Sequence, residues 1–87
     1  MRTIKMYELK EGENRISAPN LSEIVCATDA EDKVYVLMEV ETDEMEMEGR
    51  AFLVTSTGDD IVKGMILNYV GYAHLASGKV VVVFEIL

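Results

Sequence analysis

Asn68-Tyr-Val-Gly-Tyr-Ala-His-Leu75 and Lys79-Val-Val-Val-Val-Phe-Glu-Ile-Leu87, joined through Ala76-Ser77-Gly78, read as the two strands of an antiparallel hairpin. β-Branched and aromatic residues dominate both segments, and neither shows a helical period. With Ser77-Gly78 as a two-residue turn, Leu75 is expected opposite Val80, Ala73 opposite Val82 and Gly71 opposite Phe84, whose ring would cover the glycine. Tyr72 and His74 would then share the other face with Val81 and Val83. A last strand that is apolar on both faces must be central in its sheet or buried against a second sheet.

Working outward, the rest of the chain repeats the same period of two. Ile4 and Met6 face one side of a first strand and Tyr7 and Leu9 the other, before a turn at Lys10-Glu-Gly-Glu-Asn14. A short extended piece around Arg15-Ile-Ser17 ends at the single proline, Pro19, which suits a sheet edge or a loop. Leu21 to Thr28 reads as the next strand, closed by the turn Asp29-Ala-Glu-Asp-Lys33, after which Val34, Val36, Met38 and Val40 alternate over a long strand. At Asp43-Glu44 the apolar residues change from even to odd positions, so a bulge or a turn must interrupt the strand there. Arg50 to Thr57 forms a further strand with Phe52 and Val54 on one side. Gly58-Asp-Asp-Ile-Val-Lys-Gly64 is expected to be a turn or one short helical turn with Asp59 as N-cap. The fold expected is all-β: an antiparallel sandwich or partly open barrel of six or seven strands, with at most one short helical turn. Residues 1–87 form one domain, with no linker, low-complexity tract or internal repeat.

Charge is the second informative feature. The formal net charge is −8, and Glu39-Val-Glu-Thr-Asp-Glu-Met-Glu-Met-Glu48 holds six of the 16 acidic residues. An acidic field of this size disfavours direct binding to nucleic acid or to an anionic membrane surface. One cysteine, Cys26, excludes an internal disulfide framework and a thiolate metal cage, and fits a reducing compartment. The opening residues alternate apolar with charged, and no apolar run reaches the ~18 residues of a membrane span. The expectation is a cytoplasmic protein.

Met1-Arg-Thr-Ile4 with Tyr7-Glu-Leu9, Thr57-Gly58 before Ile61, Tyr69-Val-Gly71 and the closing Val83-Phe-Glu85 together resemble a family of short bacteriophage proteins of unknown function. The resemblance spans nearly the whole chain. Relatives tend to carry a His-Pro pair where this chain has Asp59-Asp60, and a middle-strand tryptophan that is absent here, so nothing built on those residues carries over. The resemblance implies a phage accessory protein acting in the host cytosol, a class that often binds and neutralises host machinery.

No residue pattern points to catalysis. His74 has no acid in register with it, since Glu85 is displaced along the hairpin by ~13 Å. Cys26 sits among Ile24, Val25 and Ala27 as a small buried cysteine would, with no base in view. Neither Asp59-Asp60 nor the acidic block has the spacing of an EF-hand loop, and Gly58 to Gly64 lacks the Lys-Ser or Lys-Thr step of a phosphate loop. No catalytic residue, metal or cofactor is expected.

Glu39, Glu41, Asp43, Glu44, Glu46 and Glu48 have two readings. They form a solvated edge whose charge prevents sheet-to-sheet aggregation, or a surface that docks on a basic host protein, a reading that the interspersed Met45 and Met47 favour. A second class of function is sequestration of a small nucleotide signal at a subunit interface by Arg15, Arg50, Thr57, Tyr69 or Tyr72. A thin core also predicts a homo-oligomer, with Tyr69, Tyr72 and Val81 as its contact residues.

Overall fold

In the computed structural model, which describes residues 1–87, the alternation resolves into seven strands. They are β1 Arg2–Leu9, β2 Gly12–Pro19, β3 Glu23–Ala30, β4 Lys33–Glu41, β5 Met47–Ser56, β6 Leu67–His74 and β7 Val80–Ile86. Every pairing is antiparallel, in one sheet of order β1-β4-β3 and a second of order β2-β5-β7-β6. The two sheets stack as an open sandwich and do not close into a barrel. Val34, Val36, Met38 and Val40 of β4 face Phe52 and Val54 of β5 and Val81 and Val83 of β7, and these eight side chains make most of the core. Central strands therefore supply the interior, as the period-two pattern requires.

Local chemistry sets the corners. At the β1–β2 corner Gly12 takes a φ of 91°, and the Asn14 side-chain amide donates to the Lys10 carbonyl at 2.8 Å and the Gly12 carbonyl at 3.0 Å. Its Oδ1 accepts the Lys10 N–H at 2.7 Å, so one asparagine replaces the backbone bonds lost at the corner. Asn14 lies inside β2, and the turn is shorter than the five residues expected. Glu31 and Asp32 join Ala30 to Lys33 with φ of 52° and 61°, the left-handed pair that a two-residue hairpin demands.

Several expectations need correction. The final hairpin is slipped by one residue: His74 pairs with Val80, Ala73 with Val81, Tyr72 with Val82 and Gly71 with Val83. The connection spans Leu75 to Lys79, closed by Leu75 N–H to the Lys79 carbonyl at 2.8 Å and Gly78 N–H to the Leu75 carbonyl at 2.9 Å, so Ser77-Gly78 is not the whole turn. Ala73, Val81 and Val83 consequently point inward, and Val81 is core, unavailable to an interface. Phe84 lies opposite Tyr69 across an irregularity at Val70, not over Gly71. The segment from Gly58 to Gly64 forms no helical turn; Asp59 caps the end of β5 instead, its carboxylate accepting the Ser56 N–H at 3.0 Å. Leu21 belongs to a turn and not to β3. A bulge at Val25 rotates Cys26 to the outward face opposite Leu37, where it is half-buried.

Gly71 is required for a different reason from the one its strand position suggests. A Cβ there would lie 3.2 Å from the Ala27 backbone nitrogen and 3.3 Å from the Ala27 Cβ, so the two sheets touch where β6 crosses β3. Gly71→Ala is expected to force the sheets apart and cost about 1–3 kcal/mol. Gly49→Ala, with nothing within 4 Å of the added carbon, is expected to be neutral or mildly stabilising. Thermal unfolding of the two variants checks this; equal midpoints would show that the close approach is not tight.

Candidate functional site

The phase change at Asp43-Glu44 is the crossing between sheets. β4 ends at Glu41, β5 begins at Met47, and the loop between them is tied at both ends. Thr42 donates its N–H and its hydroxyl to the Met1 carbonyl, both at 2.9 Å, and the Glu46 carbonyl accepts the Asn20 N–H at 2.8 Å. That last bond joins the loop to the β2–β3 turn. In that turn the Ser22 hydroxyl and N–H both donate to the Pro19 carbonyl, and Leu21 is held at φ 64° with 75% of its surface exposed. Met45 is 91% exposed and Met47 53%, so both methionines of the acidic block point to solvent and not into the core. One end of the sandwich thus presents Leu21, Met45 and Met47 among carboxylates.

Those carboxylates are less free than their number suggests. Glu39 pairs with Arg2 across β1 and β4, and the Met1 amine pairs with Glu41 and, at 3.1 Å, with Asp43. Glu48 lies 3.4 Å from Arg50. The Met1 ammonium holds Glu41 below the usual carboxylate range, its side-chain hydrogen bond being the main cause. These exposed pairs contribute little to stability. Glu44 and Glu46 have no cationic partner; the Glu44 side chain accepts the Glu46 N–H at 3.0 Å and shapes the loop. The anionic strip expected from six carboxylates narrows to Glu44 and Glu46, with Asp43 beside them.

The residues considered for a small ligand divide between two places. Arg15, Tyr69 and Tyr72 lie on the outward face of the four-stranded sheet, with Thr57 just beyond the end of β5. Tyr69 packs edge-on to Phe84 at 6.2 Å between ring centroids, and Tyr72 edge-on to His74 at 5.6 Å. Glu85 is directed to the opposite face, so His74 has no carboxylate beside it. An open groove of about 250 Å³ at the other end is floored by Leu9, Val34 and Leu75. Most of its rim charges are paired, Glu8 with Lys10 and Lys33, and Glu11 with Lys79, while Asp32 has no ion-pair partner.

Arg50 joins neither group. It faces inward, donates to Glu85 at 2.6 Å, to the Ser22 carbonyl at 2.9 Å and to Glu48 at 3.4 Å, and so links β5, β7 and the β2–β3 turn. Its pKa is raised, chiefly by the hydrogen bond to Glu85. Arg50→Ala is expected to cost about 2–4 kcal/mol, because Glu85 would be left nearly buried without its cation. Arg50→Lys would recover only part of this, since an ammonium cannot span the three acceptors that the guanidinium fork reaches. Chemical denaturation of both variants measures the difference, and equal losses would mean that charge alone matters.

No helix is long and apolar enough to cross a membrane. No curated protein and no solved structure matches the chain. A family model does match, over residues 1–86, and the chain belongs to that family, a domain of unknown function designated DUF7352.

Proposed function

We propose that this protein is a non-catalytic phage accessory factor that binds and inhibits a host protein, using the end of the sandwich formed by the β4–β5 loop and the β2–β3 turn. The carrying observation is the exposure of Met45 and Met47 inside the acidic block, with Leu21 exposed beside them at a left-handed φ. Flexible methionines adapt to an uneven partner surface, and burying them there would remove apolar area from water. Glu44 and Glu46, free of internal cations, suit a rim of Lys and Arg on the partner and would speed encounter more than they tighten the complex. The partner is accordingly a host factor with a basic surface, encountered in the cytosol.

The second reading keeps one specific support. Arg15, Tyr69 and Tyr72 share an exposed sheet face, and a nucleotide signal held between subunits would stack and pair there. Arg50 is engaged by Glu85, Ser22 and Glu48 and so contributes less to this reading.

Capture from host lysate followed by kinetics on the retained protein tests the proposal. Association is expected to slow about tenfold or more between low and moderately high salt, because exposed charges separated by more than ~8–10 Å are screened at physiological ionic strength. Glu44→Gln with Glu46→Gln should reproduce that slowing at low salt. Met45→Ser should raise the dissociation rate with the melting temperature unchanged. Binding indifferent to all three changes would reduce the block to a solubility device, and a nucleotide released by heating would favour sequestration.

A further inference from the structure

The sandwich has edge strands β1 and β3 in one sheet and β2 and β6 in the other. Three of them carry an interruption that hinders the addition of another strand. β3 has its bulge at Val25, β6 an irregularity at Val70, and β2 ends at Pro19, which lacks an N–H. β1 has none, and holds one register with β4 from Arg2 to Leu9. The Met1 carbonyl accepts the Thr42 N–H, so Met1 and Thr42 are a hydrogen-bonded pair, and by alternation the N–H and C=O groups of Thr3, Lys5, Tyr7 and Leu9 belong to β4. Those of Arg2, Ile4, Met6 and Glu8 point to the open side. No backbone hydrogen bond from a turn or loop reaches any of them. Arg2 to Met6 are all exposed, even Thr3 and Lys5, which lie beside the core residues Val40 and Met38 on the inner face. The second sheet therefore does not extend under this half of β1, and the edge is accessible.

We propose that this edge pairs with the same edge of a second copy, antiparallel about a two-fold axis, joining the two three-stranded sheets into one continuous sheet. The choice of occupant rests on charge complementarity. The outward row of β1 reads Arg2, Ile4, Met6, Glu8: a cation, two apolar side chains and an anion. Reversed, that row is its own complement. With the axis at Lys5, Arg2 lies against the partner's Glu8 and Ile4 against the partner's Met6, and each contact occurs twice, as an isologous interface requires. The same register lets the backbone groups left open on the two edges bond one another. Ile4 and Met6, 50% and 48% exposed, have cross-strand neighbours on β4 alone, and the copy supplies them on the other side. Arg2 keeps Glu39 and Glu8 keeps Lys10 and Lys33, so each new pair extends an existing cluster of charges.

In a chain of net charge −8, β1 is the one strand whose charged side chains sum to a positive value, Arg2 and Lys5 against Glu8. Two copies that meet there keep their acidic surfaces apart. Lys5 opposes the pairing, because on the axis it faces its own counterpart, and like charges directly across a ladder destabilise it. Its ammonium leans along its own strand, 5.3 Å from the centroid of the Tyr7 ring, which limits the repulsion. Lys5 thus keeps the association weak and reversible, and guards the edge against strands that lack the complementary outer row.

Hydrogen exchange and sedimentation across a concentration series test the inference. The unaltered chain at tens to hundreds of micromolar should show monomer in equilibrium with dimer. The amides of Ile4, Met6 and Glu8 should exchange slowly at high concentration and fast on dilution, while those of Thr3, Lys5 and Tyr7 stay protected by β4 throughout. Met6→Pro removes an edge-facing N–H and no bond to β4, and should abolish the dimer. Arg2→Glu and Glu8→Arg should each weaken it about tenfold, since each creates two like-charge contacts, and mixing the two variants should restore a dimer in which every such contact is again opposite in sign. Lys5→Thr should tighten the pair several-fold. A single species at the 9.7 kDa chain mass at every concentration overturns the proposal. So does a dimer that survives Met6→Pro, a Lys5→Thr chain that associates no more tightly, or charge variants that fail to complement while retaining the parent melting temperature. Should Met6→Pro fail to fold, the charge variants decide alone.

Discussion

A β-strand that is apolar on both faces cannot lie at an edge or against water on either side, and β7 imposes that condition on the whole molecule. Val81 and Val83 need an opposing sheet, which β4 supplies through Val36 and its neighbours. Both flanks need hydrogen-bonded strands, which β5 and β6 supply. The chain must therefore cross repeatedly between two sheets, and its polar residues collect at the crossings. The unusual corners follow from this: a left-handed Gly12 locked by Asn14, a left-handed Leu21 anchored by Ser22, and a loop sutured to Met1 by Thr42.

Small size then sets how those crossings are stabilised. Eleven apolar residues form the buried cluster, too few to hold every corner by packing alone. Polar ties take over at the ends: Arg50 reaches Glu85, Glu48 and Ser22 from one strand, and Gly71 lets β6 close on Ala27 without a side chain between them. The arginine is best understood as part of the framework, although its residue type and position next to the acidic block invite a ligand reading.

Much of the fold is legible in the sequence because a period of two is a local signal. The alternation from Val34 to Val40, the inward Phe52 and Val54 and the phase change at Asp43-Glu44 each need only a few neighbouring residues to be read. The hairpin register is different. It depends on how Leu75 and Lys79 close the connection, and one residue of slip exchanged the faces of Val81 and Val82. Cys26 turned outward for a related reason, a bulge at Val25 that leaves no mark on the apolar pattern. The acidic block was visible as composition, but its electrostatics were not, because the cations that answer Glu39 and Glu41 come from Arg2 and Met1 on a strand distant in sequence. The exposure of Leu21 had no signal at all; only the turn geometry reveals it.

Two kinds of exposed apolar surface remain after the core is filled, and they differ in chemistry. On the outer face of the four-stranded sheet Tyr69 and Tyr72 are exposed on rigid strands beside the half-buried Phe84, Val82 and Leu53, held in rotamers by cross-strand neighbours and by an edge-on aromatic pair. Such a surface loses little conformational freedom on binding and suits a partner of fixed shape. The loop end offers long methionine and glutamate side chains on backbone between sheets. It adapts at greater entropic cost, and suits a partner whose surface evolves independently.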